Sequence, residues 1–188
     1  IKEKSAKEEH KLSRMIATYD WEYSQNSSVE KRMQKYWEVI IGEWKKPWNR
    51  ELNKELGKKE KRKNRSLAWA EQSQTIDEIG STFTIQGFDL NYAGVILGPS
   101  VKYRNGEIIF DPNESHNLKA TRKRTLSNGT KKEFGETLIQ HEVRVLMTRG
   151  VNGLYIYACD KELREALKEA EIALAHDEIP IGCVLVKE

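Results

Sequence analysis

The sequence is poor in cysteine, with only Cys159 and Cys183, and holds four prolines in 188 residues. Two cysteines so far apart, each in an apolar strand-like context, make no disulfide framework and read as reduced core thiols. None of the four histidines, His10, His116, His141 and His176, stands at metal-ligand spacing from a cysteine, so no zinc or other metal site is expected. No apolar run approaches eighteen residues and no signal peptide opens the chain, so a cytoplasmic protein outside the membrane is expected. The phosphate-cradling Gly-x4-Gly-Lys-Ser/Thr loop is absent, and no clear acidic magnesium site follows an apolar strand. No nucleophile elbow or identifiable serine–histidine–acid set is present either.

What the sequence has in quantity is charge. Charged residues make up 32% of it, the net charge is +3, and the mean hydropathy is −0.73. A net charge of that size does not by itself argue for nucleic-acid binding. Its distribution says more. Lys58 to Arg65 holds six basic residues and one acidic one, and Lys119 to Lys132 holds six more basic positions. Each stretch suits either phosphate contact or a solvated loop. All five tryptophans fall before residue 79, whereas the clean apolar runs come after it. A large ring gains most from burial, so the tryptophans read first as anchors for a poorly apolar insertion and second as base-stacking platforms.

The ordered pattern centres on residues 81–101. A polar loop holding Ser81, Thr84, Gln86, Gly87 and Asp89 leads into the apolar run Ala93 to Leu97, closed by Gly98-Pro99, the signature of a buried strand. Arg14 to Trp21 and Trp37 to Ile41 are shorter strand candidates. Glu51 to Arg65 fits a solvated helix or a disordered arm. Asn105-Gly106 between VKY and EIIF marks a hairpin. Phe134 to His141 starts at helical spacing, but Val143, Val145 and Met147 alternate, leaving helix or strand open there. Leu154 to Cys159 is a strand, with Asp160 as N-cap of a helix from about Lys161 to His176. Ile181 to Val186 reads as a last strand. The start at Ile1 and the stop just after this strand both read as a piece of something longer. The sum is an α/β domain with its chemistry at the sheet edge. Arg149, between VLMT and a glycine, is placed to bridge a phosphate or to make a surface salt bridge.

The stretches MIATYDWEY, TIDEIGSTFTIQGFDLNYAGVILGPSVKY and VRVLMTRGVNGLYIYACD resemble the Schlafen group-3-like DNA/RNA helicase family, over roughly residues 12 to 163. The resemblance implies a RecA-like parallel sheet flanked by helices, normally one of a pair with ATP between them. This chain looks like the second domain only, residues 1–163 with an aromatic and basic insertion at about 28–76. TFTIQGFD then takes the role of the loop coupling nucleotide to nucleic acid, through Gln86, Gly87 and Asp89. VLMTRG resembles the final motif, whose arginine reaches the γ-phosphate, a role that falls on Arg149. Thr84 and Thr148 support these loops, Thr84 on the nucleic-acid side and Thr148 on the nucleotide side. Lys119, Arg122, Lys123 and Arg124 are the further nucleic-acid candidates. ATP and Mg2+ are expected only with a missing first RecA-like domain supplied, DNA or RNA is the expected partner, and hydrolysis by this chain alone is in doubt. Arg149 and Gln86 are expected to face one cleft at the carboxyl ends of parallel strands.

Residues 163–188, LREALKEAEIALAHDEIPIGCVLVKE, resemble the opening helix and strand of bacterial tRNA adenosine deaminases. They lack that family's His-Ala-Glu and Pro-Cys-x-x-Cys zinc residues. The two pieces meet near Leu163 to Glu165, giving a 164–188 helix–strand appendage that reads as a fusion, a frameshift or a truncation. Three alternatives to the ATPase half stay open: a non-enzymatic nucleic-acid-binding module, a truncated deaminase fusion, and an inactive truncation product.

Overall fold

The computed structural model describes residues 1–8, 10–24 and 35–175. In chain order the elements are α1 (Lys2–Ala6), β1 (Arg14–Ala17), β2 (Glu38–Ile41), β3 (Trp44–Pro47), α2 (Lys58–Asn64), β4 (Ile79–Gly80) and β5 (Leu90–Leu97). Then come β6 (Val101–Arg104), β7 (Glu107–Phe110), α3 (Leu118–Thr121), β8 (Arg124–Thr125), β9 (Lys131–Lys132), α4 (Gly135–Met147), β10 (Gly150–Ala158) and α5 (Lys161–Ala175). The strand expected at Ile181 to Val186, and Cys183 with it, lies outside the described residues.

Four strands form one parallel sheet in the order β10-β5-β1-β4. β5 is central because its Ala93, Val95 and Leu97 are buried on one face and Ile96 on the other, the pattern of a strand covered on both sides. On the first face α4 and α5 pack through Ile139, Leu146 and Leu163 against Ile16, Val95 and Ala158. On the second face the β2–β3 hairpin and its flanks bring Val39, Trp37 and Trp48 onto Ala17, Ile79 and Ile96.

The segment left open between helix and strand is helical to Met147. Ile139, Val143, Leu146 and Met147 recur at three and four and face the core, whereas Val145 stays exposed. The alternation of Val143, Val145 and Met147 is incidental to a helix whose apolar stripe is wide. β1 stops at Ala17, well short of Trp21, because Thr18 and Asp20 turn their side chains back onto the end of β5. Asn105 and Gly106 both take positive φ, 53° and 87°, and set the register Arg104 opposite Glu107. Glu51 to Arg65 is a short 3-10 turn and the solvated helix α2, which buries no side chain.

The aromatic stretch from Trp37 to Trp69 is anchored. Trp48, Trp69 and Trp37 are buried, and Tyr19, Trp21 and Tyr23 surround the Trp48 ring. Two buried glutamates add to this. Glu78 accepts from the backbone N–H of Arg50 and Leu52 and from the Trp69 indole, at 2.7 to 2.8 Å. Glu51 accepts from the Trp37 N–H and pairs with Lys54. Arg14, also buried, donates to Thr75 Oγ1 at 2.8 Å and to three backbone carbonyls, and burial lowers its pKa to about 10. The burial expected of the tryptophans holds for Trp37, Trp48 and Trp69 but not for Trp44, which is exposed, and the acids and the arginine that satisfy this stretch's backbone are additional to it.

Asp160 caps α5, accepting from the Leu163 N–H at 2.9 Å, and is bidentate with Arg104 of β6. Leu163, Ala166 and Ala170 of α5 are buried, so the junction near residue 163 falls inside a helix packed on the sheet.

Candidate functional site

The loops that precede two neighbouring parallel strands must meet at the same edge of the sheet. Asp89 immediately precedes β5 and Arg149 immediately precedes β10, and Leu90 pairs with Gly150 at the start of both strands. The Leu90 N–H donates to the Arg149 carbonyl at 2.8 Å, which locks the two loops together. The Arg149 guanidinium lies 3.1 Å from Asp89 Oδ1, and its Nε donates to the Val145 carbonyl at the end of α4. The motif residues therefore come together, but at the amino ends of the strands. The expectation of a cleft at the carboxyl ends is corrected by strand direction.

Gln86 and Gly87 form the exposed tip of the same loop, a turn closed by Phe88 N–H to Ile85 carbonyl at 3.0 Å. Gly87 has φ of +71°, which a side chain would strain. The Thr148 hydroxyl bonds back to the Arg144 and Val145 carbonyls at the C-terminal end of α4 and so holds the turn that presents Arg149. Thr84 does the same for the start of the loop. Its Oγ1 accepts from the Ser81 N–H at 2.8 Å and donates to the Ser81 carbonyl at 2.9 Å.

The opposite edge of the sheet carries a group of residues the sequence did not single out. Asp20 accepts from Thr18 Oγ1 and from the Ser100 N–H, both at 2.9 Å, bracketing Gly98. A Cβ on Gly98 would stand 2.3 Å from Asp20 Oδ2, so the glycine that ends β5 also makes room for the acid. Glu142, on the buried face of α4, accepts from the Tyr19 N–H at 3.0 Å and from Thr82 Oγ1 at 3.5 Å. Each acid keeps one oxygen, Asp20 Oδ1 and Glu142 Oε2, without a hydrogen-bond partner. Burial, reinforced by the charge of Asp20, pushes the Glu142 carboxyl up to about 8, and burial raises Asp20 too. The Cys159 thiol nearby is pushed up to about 11, mainly by burial, and stays protonated.

In front of Tyr19 opens a cleft of about 520 Å³, lined among others by Phe83, Thr84, Arg50, His116 and Lys119. Arg122, Lys123 and Arg124 continue from Lys119 along the exposed surface. Lys123 is paired with Glu133 at 2.9 Å, and Arg124 donates to the Lys119 carbonyl. Thus Thr84 and Lys119 line the cleft, while Gln86, Gly87, Asp89, Thr148 and Arg149 lie toward the other edge. Among the described residues no group of three or more His, Cys, Asp or Glu side chains is arranged to hold a metal, and no helix is long and apolar enough to cross a membrane.

A parallel sheet flanked by helices is the α/β, RecA-like architecture. The chain belongs to the Schlafen group 3 DNA/RNA helicase domain family, which it matches over residues 1–160. It is 39% identical over 171 residues to the uncharacterized protein YPL245W of Saccharomyces cerevisiae, covering 89% of this chain and 33% of that protein. The chain therefore spans about a third of that relative's length. No solved structure matches it.

Proposed function

We propose that residues 1–163 are the second RecA-like half of a nucleic-acid-dependent ATPase, with residues 28–76 as an insertion. In this reading the chain supplies the arginine and coupling loop to an ATP site completed by a first RecA-like domain. The observation that carries it is the Arg149–Asp89 ion pair, which joins the two motif loops at one edge of the sheet. Asp89 is well exposed, and an exposed ion pair is worth less than about 1 kcal/mol. An incoming phosphate, with more charge than a carboxylate, can take the guanidinium at little cost. Bound at the edge, ATP would bring the phosphoryl group to be transferred. Arg149 would clamp its oxygens, held in place by Thr148 and the Val145 carbonyl, and the Gln86–Asp89 turn would adjust to the released Asp89. The phosphate cradle and the Mg2+ ligands belong to the first domain, since this chain has no phosphate loop.

Coupling to nucleic acid runs along α4. The middle of this helix is bonded through Glu142 to the loops that floor the cleft, and its C-terminal end positions Arg149. Occupancy of the cleft, with Lys119 and Arg122–Arg124 on the phosphates, would be felt at the arginine through one rigid element. The tail from residue 164, with its likeness to a deaminase opening, adds no zinc residue and no catalytic group to this reading.

The test is ATP turnover measured for the full chain alone and with a first RecA-like domain added in trans. Turnover is expected only in the mixture, and Arg149→Ala is expected to lower it by about 10³-fold. Turnover by the chain alone, or a mixture indifferent to Arg149→Ala, refutes the assignment. A second reading, a nucleic-acid-binding module without hydrolysis, is favoured by the basic cleft edge alone. It predicts salt-dependent binding of DNA or RNA with no turnover in the mixture.

A further inference from the structure

We propose that the cleft beside Tyr19 is a stacking pocket for an unpaired base of single-stranded nucleic acid, with Phe83 as its platform and Arg50 and Lys119 as its phosphate contacts. This rests on the nucleic-acid arm of the reading above and not on its ATP arm. The first argument is topological. From β1 the chain goes out to the β2–β3 face and returns to β4 on one side, whereas from β5 it returns through α4 to β10 on the other. The carboxyl ends of β1 and β5 are thus the switch point of the sheet, where parallel α/β folds open a crevice for ligands. Tyr19 stands two residues beyond the end of β1, and the cleft opens there.

The second argument is the aromatic wall. Phe83 is 49% exposed. It is nevertheless fixed in place. Its ring meets Tyr19 edge-on at 5.3 Å, and Tyr19 rests on the fully buried Trp48 at 4.8 Å. The turn bearing Phe83 is tied by the Thr84–Ser81 hydrogen bonds and by Phe83 N–H to Ser81 Oγ. A ring held in place by others does not itself reorder when a base stacks on it, and a cleft of this volume accommodates one nucleotide.

Charge decides the class of occupant. Lys119 Nζ lies over the Phe83 ring, 5.9 Å from its centroid, and moves to a strand's phosphate when a base takes that face. Arg50 occupies another part of the lining, with φ of 71° and its N–H held at 2.7 Å by Glu78. His116 and Asn117 also line it, and among the described residues no carboxylate does. Of the two acids behind Tyr19, Glu142 is pushed up to about 8, mainly by burial, and so adds little negative charge at neutral pH. Beyond Lys119, Arg122 and Arg124 are exposed and add positive charge, whereas Lys123 is paired with Glu133. Paired bases hide their faces in the stack, so a single aromatic platform of this kind selects an unpaired base.

The test is fluorescence anisotropy of the full chain with three labelled ligands of equal length: a single strand, an abasic single strand and a duplex. The expected order is base-bearing strand tightest, with Phe83→Ala weakening that strand alone by about tenfold. Lys119→Glu and Arg50→Glu should weaken all three and lower the salt dependence. Phe83 and Lys119 are exposed, so unchanged thermal melting of these variants confirms that folding is intact. Equal affinity for abasic and base-bearing strands, or a Phe83→Ala variant that binds like the parent, overturns the pocket while leaving nucleic-acid binding in place. Absence of all binding overturns the pocket together with the nucleic-acid arm. Selective loss with Phe83→Ala, in a protein whose mixture shows no ATP turnover, supports the pocket and refutes only the ATP arm.

Discussion

Replacing Glu142 with glutamine tests whether the buried acid pair is held together by a proton. The carboxyl has an ordinary pKa of 4.5 and is pushed up to about 8 in the fold. Between those values the folded protein keeps a proton that the unfolded chain has released. The native state then binds more protons, so stability falls as pH rises, by about 1.4 kcal/mol per unit. The fall begins near 4.5 and is complete once pH passes about 8, where both states are ionised. Its ceiling is about 5 kcal/mol, of which roughly 3 has been lost by pH 7. The raised carboxyl of Asp20 acts in the same direction. In Glu142→Gln the Oε1 acceptor for the Tyr19 N–H is kept, and the partnerless Oε2 becomes an amide donor beside Asp20, whose Oδ1 also lacks a partner. Urea denaturation at intervals from pH 5 to pH 9 is the assay. The variant should show a flatter pH profile and exceed the parent at pH 8 by about 2 kcal/mol or more. A variant less stable than the parent at pH 8, with an unchanged slope, refutes the reasoning. Glu142 would then be an ordinary carboxylate that needs its charge.

Trp48→Ala removes the ring on which Tyr19, Trp21 and Tyr23 converge and should cost about 3 to 5 kcal/mol in chemical denaturation. A loss below about 1 kcal/mol would mean that this aromatic stretch is not anchored by it. Gly98→Ala drives a methyl to within 2.3 Å of Asp20 Oδ2 and 2.8 Å of Thr18 Oγ1. It should lower the urea midpoint by the equivalent of about 2 kcal/mol or more, and an unchanged midpoint would show that the end of β1 yields freely.

The elements that could be read from the sequence are those whose signal lies within a few residues. The hairpin at Val101 to Phe110 follows from the positive φ of Asn105 and Gly106, and β5 follows from an apolar run closed by Gly98-Pro99. The helix after Asp160 follows from its apolar spacing and its cap. Where periodicity was ambiguous, at Val143 to Met147, tertiary packing chose the helix by burying Leu146. That the two motif loops meet could be anticipated, but neither the pairing of Arg149 with Asp89 nor the edge they occupy could. That depends on which way the strands run beside one another, a property of the assembled sheet. Phe83 and Tyr19 gave no signal, because an aromatic residue in a loop looks the same whether it is buried or left exposed as a platform.

By itself the sequence determined the family, the elements and the chemistry that this chain lacks, since motifs, turns and periodicities are local. Only the tertiary structure decided the rest. Glu142 meets the Tyr19 N–H across 123 positions and Arg14 meets Thr75 across 61. Such contacts form when the sheet brings distant segments together. A buried acid then acquires its raised pKa, and a loop phenylalanine its exposed face, from neighbours that no stretch of sequence contains.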